Sequence, residues 1–460
     1  MRNIKIGCVI TFVFVLISCH NSKSISENKE IQPNIIIVYV DDMGIGDASY
    51  TNGNVQKTPN IDKLAKEGKV FTNYYTSAPV CSPSRVGLTT GMYPIRWNIN
   101  TFLSHKKFNQ KCEQSNFLDV KAPSMAHILK NAGYKTAHFG KWHMGGGRDV
   151  KDAPSIAEYG FDVFNSTYES PDPDPLLTST NWIWAATDSI KRWERTAYFV
   201  DKTLRFLKEN KEKPCFINLW PDDVHTPWVP NLESEQAEKK EFSHLKNLQP
   251  VIDAFDIEIG RLVEGIKRMG LSEKTLIIFT SDNGPAPGFN KLRTNGLRGV
   301  KNSLYEGGIK MPFIAYWPGK IKSGQIDSTS IISAIDILPT ISKLAKATFS
   351  NSYKIDGEDV SEAFLTSKMV KRKNELFWEY GRNEHYNFPE KYDRSLQLAT
   401  RHKNYKFYTN INGTEVELYD LKTDPNETTN IYEQHKELSE LLKTKTIEWF
   451  KKNDKQYLNK

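Results

Sequence analysis

The chain has little cysteine: five residues in 460, too few and too scattered for a disulfide framework. It also lacks a long block of like charge. Its 62 Lys and Arg stand against 55 Asp and Glu, a net charge of +7 spread along the length. That disfavours a nucleic-acid partner and leaves room for a basic pocket that takes an acidic substrate. There is no internal repeat and no extended low-complexity segment, so repeat arrays and wholesale disorder are set aside. The apolar run at the N-terminus, Ile6 to Ile17, is short for a bilayer span. What is present, 38% hydrophobic and 12% aromatic residues, suffices for one large core or two unequal ones.

The N-terminal run follows Arg2 and Lys5 and ends in Leu16-Ile17-Ser18-Cys19, which resembles a bacterial lipoprotein signal with its lipobox. The resemblance implies a signal peptide over residues 1–18 and a lipidated Cys19 that anchors the chain to a membrane. A polar tether over 19–32 would follow, with export to the periplasm or the outer-membrane surface. Cys8 goes with the signal, leaving Cys81, Cys112 and Cys215. Cys215 lies in the apolar run CFINLW and reads as a buried strand residue; Cys112, in a polar loop, is open to pairing or to remaining free. Cys81 needs its own explanation.

Asn34 to Val40, Thr275 to Thr280 and Cys215 to Trp220 are nearly continuous in β-branched and aromatic residues, with weaker versions at Thr136 to Phe139 and Pro312 to Trp317. Such runs fit strands covered on both faces. Between them lie amphipathic stretches: Thr58 to Glu67 with Pro59 at a helical first turn, Ser124 to Ala132, and Val251 to Met269. The alternation predicts an α/β fold over residues 33–345, a mostly parallel central sheet flanked by helices. Past residue 345 the runs at 377–380, 396–399, 405–408 and 416–419 are short and partly alternating, and Glu433 to Phe450 reads as a helix. These predict a smaller C-terminal antiparallel sheet plus helix over 346–460.

In parallel sheets, ligands bind beyond the carboxyl ends of the strands. One strong strand ends in Asp41-Asp42 and another in Ser281-Asp282-Asn283-Gly284. Either pair alone is more often a turn or a cap. Together, three carboxylates and an amide call for a cation among them, and an all-oxygen set selects a hard ion such as Ca²⁺ or Mg²⁺. Other strands run into Lys141 and His143 and into Asp222, Asp223 and His225. Five strands with ends of this kind would build one site holding a divalent cation and several donors for an anion. CSPSR at 81–85 fits that site. Pro83 at a first helical position predicts a helix ended by Gly91. Cys81 would then sit just outside its N-terminus, where free N–H groups and the dipole favour anions, and Arg85 one turn in. A thiolate nucleophile is one reading of Cys81, yet soft sulfur is an odd companion for a hard cation.

At these residues the chain resembles the type I, formylglycine-dependent sulfatases of the alkaline phosphatase superfamily. CSPSRVGLTTG matches the family's first signature and GYKTAHFGKWHMGG, residues 133–146, is similar to its second. The likeness continues through PNIIIVYVDDMGIGD, HTP at 225–227, SDNG, KNSLYEGGIKMPFIAYWPGKI from Lys301 and ELYDLKTDPNETTNI from Glu417. The resemblance implies an alkaline phosphatase-like fold and oxidation of Cys81 to formylglycine by a formylglycine-generating or anaerobic sulfatase-maturating enzyme. It further implies one Ca²⁺ bound by Asp41, Asp42, Asp282, Asn283 and the modified residue 81, whose hydrated aldehyde, a gem-diol, would attack sulfur. His225 or Lys301 would protonate the leaving oxygen, His143 would remove the second diol proton, and Arg85 and Lys141 would hold residue 81 and the sulfate oxygens. Asn302 stands where many members have glycine, and Met43 where leucine is usual.

The substrate class implied is a sulfated carbohydrate: an algal polysaccharide such as ulvan, a glycosaminoglycan, or their oligosaccharides. Trp182, Trp184 and Trp193, beside Lys191, Arg192 and Arg195 and with the late segment Asn383 to Arg394, read either as a loop packed on itself or as a sugar-stacking wall. Two rival activities stay in view: a phosphonate monoester or phosphodiester hydrolase of the same superfamily, and a catalytically dead, lipid-anchored glycan-binding protein.

Overall fold

The computed structural model describes residues 32–177, 184–233, 243–350 and 353–454. The signal, Cys19, residues 19–31 of the tether and Trp182 lie outside the described residues. The central sheet has eight strands: Asn34–Val40 (β1), Lys69–Phe71 (β2), Lys135–Gly140 (β3), Val163–Ser166 (β4), Cys215–Trp220 (β5), Thr275–Ser281 (β6), Phe313–Tyr316 (β7) and Gln325–Asp327 (β8), in the order β4-β3-β5-β1-β6-β7-β2-β8. The neighbours of β1, β5 on one side and β6 on the other, run parallel to it, as do β3 beside β5 and β4 beside β3.

The β-branched composition of β1 explains its central place. Ile35, Ile37 and Tyr39 enter one apolar layer and Ile36, Val38 and Val40 the other, so the strand is buried on both faces, each side chain gaining about 1.5–3 kcal/mol from burial. The first layer is covered by Cys81–Thr90 (α1), Met125–Asn131 (α2) and Ile337–Leu344 (α3). The second is covered by the helices Pro59–Glu67, Arg195–Glu209 and Leu245–Arg268. Pro59 is the first residue of its helix, as its fixed φ and missing N–H allow.

Two expectations need correction. The Pro312–Trp317 run forms β7, but this strand is antiparallel to β6 and β2, so it does not bring its end to the same edge; four parallel strand ends, not five, build the site. The helix of the CSPSR stretch begins at Cys81, with Val80 as its N-cap. Cys81 is therefore the first helical residue, and Pro83 sits two places further in, still within the turn whose N–H groups need no intrahelical partner. Gly91 ends the helix in the left-handed conformation at φ 65°.

Leu376–Glu379, Leu398–His402, Tyr405–Thr409 and Val416–Asp420 form a four-stranded antiparallel sheet, joined by the helix Lys436–Asn453. This sheet packs directly on the segment that carries Cys81: Trp378 donates its indole N–H to Thr76 O at 2.7 Å, and Trp378 and Tyr380 share one buried cluster with Cys81 and Tyr305.

Candidate active site

Register places the acids. Val40 of β1 lies opposite Ser281 of β6, so Asp41-Asp42 and Asp282-Asn283 leave adjacent parallel strands side by side. The ladder continues past the strand ends, with Asp282 N donating to Val40 O and Asp41 N to Pro221 O, both at 3.1 Å. On the far side of β5, Lys141 N donates to Trp220 O at 2.9 Å. Gly140 makes that approach possible: at φ 121° a Cβ would lie 2.0 Å from the Trp220 carbonyl oxygen.

All four metal-ligand candidates from the strand ends are fully buried. Lys141 Nζ donates to Asp41 Oδ2 at 2.8 Å and Lys301 Nζ to Asp42 Oδ2 at 2.8 Å. Arg85 Nη2 donates to Asp282 Oδ2 at 2.6 Å and Nη1 to Lys141 O at 2.9 Å. Asp42 has φ 60°, held by its N–H to Asp282 Oδ1 at 3.1 Å and by Arg293 Nη2 donating to its carbonyl at 2.8 Å. Arg293 in turn is fixed by a forked pair to Asp47. The sequence carried no signal for Arg293.

The side-chain oxygen of Asn283 is buried without a hydrogen-bond donor, and Asp41 Oδ1, also without a hydrogen bond, lies 3.3 Å from Arg85 Nη2. Asp41, Cys81 and Asp282 each turn one ligand atom to within 4.8 Å of the others, and so do Asp41, Asp42 and His225. Burial would raise Asp41, but Lys141, His225, Arg85 and Lys301 hold it well below the ordinary carboxylate range. Asp282 goes the other way: burial and the charges of Asp41, Cys81 and Asp42 outweigh Arg85 and push it well up. An orphaned amide oxygen beside a carboxyl that its neighbours disfavour as an anion fits a hard divalent cation.

Cys81 is 3% exposed. Burial raises its thiol above the ordinary value although Lys141 and Lys301 pull it down, which weighs against an ordinary thiolate nucleophile. The serines of CSPSR explain themselves by contact. Ser84 Oγ hydrogen-bonds Tyr39 OH at 2.8 Å, tying the helix to β1. Ser82 Oγ accepts from Leu103 N at 2.9 Å, and Leu103 O lies 2.9 Å from His143 Nε2. A carbonyl can only accept, so Nε2 carries the proton and Nδ1, buried and without a partner, offers the lone pair. Burial lowers His143 to about 4, keeping it neutral. Glu169, unremarked in the sequence, stands 3.3 Å from His143 Nε2, 3.7 Å from Lys141 Nζ and 3.1 Å from Arg148 Nη2.

His225 Nδ1 faces Thr226 O, which leaves Nε2 toward the site, 3.6 Å from Asp42 Oδ2. Burial and Lys301 lower it to about 4, whereas Asp42 and Asp41 keep Lys301 protonated against its burial. Cys81, Lys141, His143, His225 and Lys301 line one cavity of about 200 Å³ with Arg148, Glu169 and Asn387. Arg85, fully buried, braces the site from beneath. His138 is a core residue, ringed by Trp142, Phe161 and Trp220.

The stacking-wall reading of 182–195 does not hold for its cations. Arg192 and Arg195 are buried and donate to Asp222, and Arg192 also donates to His225 O at 3.1 Å. Lys191 Nζ closes onto Ala186 O and Asp188 O. The segment is a brace for the His225 loop. Of the late segment, Asn387 reaches the cavity and Arg394 stacks on Phe388 at 3.7 Å. Asn302 adopts φ 70°, a conformation natural to glycine and tolerated by asparagine, and Tyr380 OH donates to its Oδ1 at 2.7 Å. Cys112 and Cys215 are both free and buried.

The family model described as Sulfatase matches residues 33–347, and one described as N-sulphoglucosamine sulphohydrolase, C-terminal, matches residues 300–452. An N-acetylgalactosamine-6-O-sulfatase of Bacteroides thetaiotaomicron is 28% identical, covering 96% of this chain and 99% of its own. Human arylsulfatase A is 28% identical over 75% of this chain and 70% of its own. Among solved structures, a sulfatase from work on glycosaminoglycan metabolism in Bacteroides thetaiotaomicron superposes with TM-score 0.73 at 26% identity, covering 90% of this chain and 99% of that one. Ps i-CgsB does so with TM-score 0.74 at 25% identity, covering 93% and 94%.

Proposed function

The chain belongs to the sulfatase family and is a sulfuric ester hydrolase, and on that premise we propose that it removes sulfate from the terminal sugar of a sulfated glycan. Water and the ester give the free sugar hydroxyl and hydrogen sulfate. The observation that carries the reading is the meeting of Cys81, Lys141 and Lys301 at one cavity, with Asp41 and Asp282 each turning a ligand atom to within 4.8 Å of that of Cys81. Its volume of about 200 Å³ is below the usual range for ligand pockets and suits one sugar rather than a chain passing through.

Asp41, Asp42, Asp282, Asn283 and residue 81 would hold Ca²⁺, which when bound supplies a Lewis acid for an oxygen nucleophile and for sulfate charge. Oxidised to formylglycine by a maturating enzyme, residue 81 would offer the oxygen of a hydrated aldehyde to the ester sulfur. Lys141 binds sulfate oxygens and stabilises charge there, while Arg85 fixes the Lys141 backbone and Asp282. His143 takes a proton at Nδ1, its tautomer set by Leu103 O. Lys301 arrives protonated and gives a proton to the leaving sugar oxygen; His225, neutral with its proton on Nδ1 toward Thr226 O, offers Nε2 as an acceptor for the hydroxyl that forms.

The full-length relative acting on 6-O-sulfated N-acetylgalactosamine makes that sugar, at the end of a glycosaminoglycan oligosaccharide, the first substrate to test. Protein from the native host should show formylglycine at residue 81 by mass spectrometry, release sulfate from this substrate, lose activity on chelation and regain it with Ca²⁺. Unmodified cysteine throughout an active preparation, or a preference for an aryl phosphodiester over an aryl sulfate, would overturn the proposal. Residues 1–18 act as signal and Cys19 as lipid anchor at the periplasmic or outer-membrane surface, with a catalytic domain over 33–345 and a C-terminal subdomain over 346–460. Cys19→Ala should move the protein from the membrane to the soluble fraction.

A further inference from the structure

A second cavity, of about 420 Å³, has no lining residue in common with the active-site cavity and is twice its volume. It lies where the Ile331 segment, the 370–375 segment and the turn after Leu398–His402 come together. Ile331 and Val370 give it an apolar floor, and its walls carry Lys371, Arg372, Lys373, Arg401, His402 and Lys403 against one acid, Glu375.

The charges of this cavity fall into two groups. Arg372 is paired through both nitrogens with Asp336, Arg401 bonds Lys403 O and Tyr75 OH, and Glu375 is held by Lys445 and His402. These build the walls. The nearby Glu358 carboxylate is taken up by the backbone N–H groups of Lys373 and Asn374. Lys371, Lys373 and Lys403 are exposed, and no ion pair is made by their ammonium groups among the described residues. Three unneutralised cations from two chain segments thus surround a concave apolar floor.

We propose that this cavity is a second binding site for the sulfated glycan, gripping a stretch of the polymer away from the bond being cut. The inference rests on the sulfated-glycan reading of the active site. A sugar ring presents apolar C–H groups to Ile331 and Val370 while its sulfates reach the lysines, and sulfates repeated along a chain match cations set on separate segments. The concavity favours a saccharide over a membrane, whose anionic surface is flat. At a surface like this the attraction is strongly screened by salt.

The test uses the full chain carrying Cys81→Ala, which removes turnover, with and without Lys371→Gln, Lys373→Gln and Lys403→Gln together. The probe is polymeric chondroitin 6-sulfate immobilised in a native gel. The Cys81→Ala protein should be retarded, and the added glutamines should weaken that retardation at least ten-fold, with desulfated chondroitin retarding neither. In matured enzyme without the Cys81→Ala change, the same three substitutions should raise KM for the polymer several-fold and leave kcat/KM for a small aryl sulfate unchanged. Equal retardation of both proteins overturns the site, as does equal binding of desulfated polymer. Binding that the three lysines support only on vesicles of anionic phospholipid, and not on the polymer, reassigns the cavity to a membrane and also overturns it. If matured enzyme fails on the aryl sulfate itself, the proposed activity falls, whereas the gel comparison still decides whether the second site exists.

Discussion

Two strands of the central sheet end in the same dipeptide, β1 in Asp41-Asp42 and the adjacent β5 in Pro221-Asp222-Asp223. The two pairs meet opposite fates. Asp41 and Asp42 face Cys81, Asp282 and the cavity-lining lysines. Asp222 sinks onto Arg192 and Arg195, which hold it low despite burial. Asp223, bonded to Thr196, is pushed up to about 6 by burial and by Asp222. The first pair is arranged to receive something; the second clamps the loop that presents His225. Burial and charge are shared by both pairs, so neither property alone marks a reactive carboxylate. What separates them is convergence on an opening.

That contrast can be broken by substitution. Asp41→Asn should reduce sulfate release by at least about 10³-fold, on the scale of losing a charge-stabilising group in the transition state, while the circular dichroism melt stays cooperative. Asp222→Asn should do the reverse. It removes the carboxylate that Arg192 and Arg195 share, leaving Arg195 with Asp188 at 3.6 Å, a change expected to cost about 3–5 kcal/mol of stability, read as a fall in Tm, and the remaining folded enzyme should keep measurable turnover. If Asp222→Asn proves as stable as the parent and as dead as Asp41→Asn, the division between the two pairs is wrong.

Smaller effects sharpen the same division. Glu169→Gln should lower kcat about ten-fold and move the acid limb of the pH profile downward. His143 acts as a base only when unprotonated, its group titrates at about 4, and the Glu169 charge raises it, so removing that charge lets the base survive to lower pH. An acid limb that stays put would show that Glu169 does not act through His143. Asn302→Gly should cost least, under about 1 kcal/mol, because φ 70° suits glycine and only the Tyr380 hydrogen bond is lost. A small rise in KM with kcat unchanged is the expected reading.

Much of this was legible in the sequence for a definite reason. β-branched runs without charge name strands buried on both faces, and polar residues at their carboxyl ends name the site, because the parallel sheet aligns those ends. Asp41, Asp42, Lys141, His143, His225, Asp282 and Asn283 all follow from that rule. Glu169, Arg293 and the pairing of Arg192 with Asp222 do not, since Glu169, Arg293 and Arg192 are brought in by tertiary folding and none sits in a pattern with a period. The start of the CSPSR helix was displaced by two residues because proline is tolerated throughout a helix's first turn, not only at its first residue. The reversed β7 was hidden for another reason: an apolar run carries no sign of its direction.

The near-complete burial of Cys81 has a consequence in time rather than in space. At 3% exposure, as the first residue of a helix at the floor of a cavity of about 200 Å³, its sulfur offers almost no surface to another enzyme once the fold is complete. On the proposed function, oxidation of this side chain comes before folding finishes, on a nascent or still unfolded segment. On the same proposal, a host that translates and folds the chain without a maturating enzyme present would accumulate a well-folded protein that later addition of that enzyme does not activate.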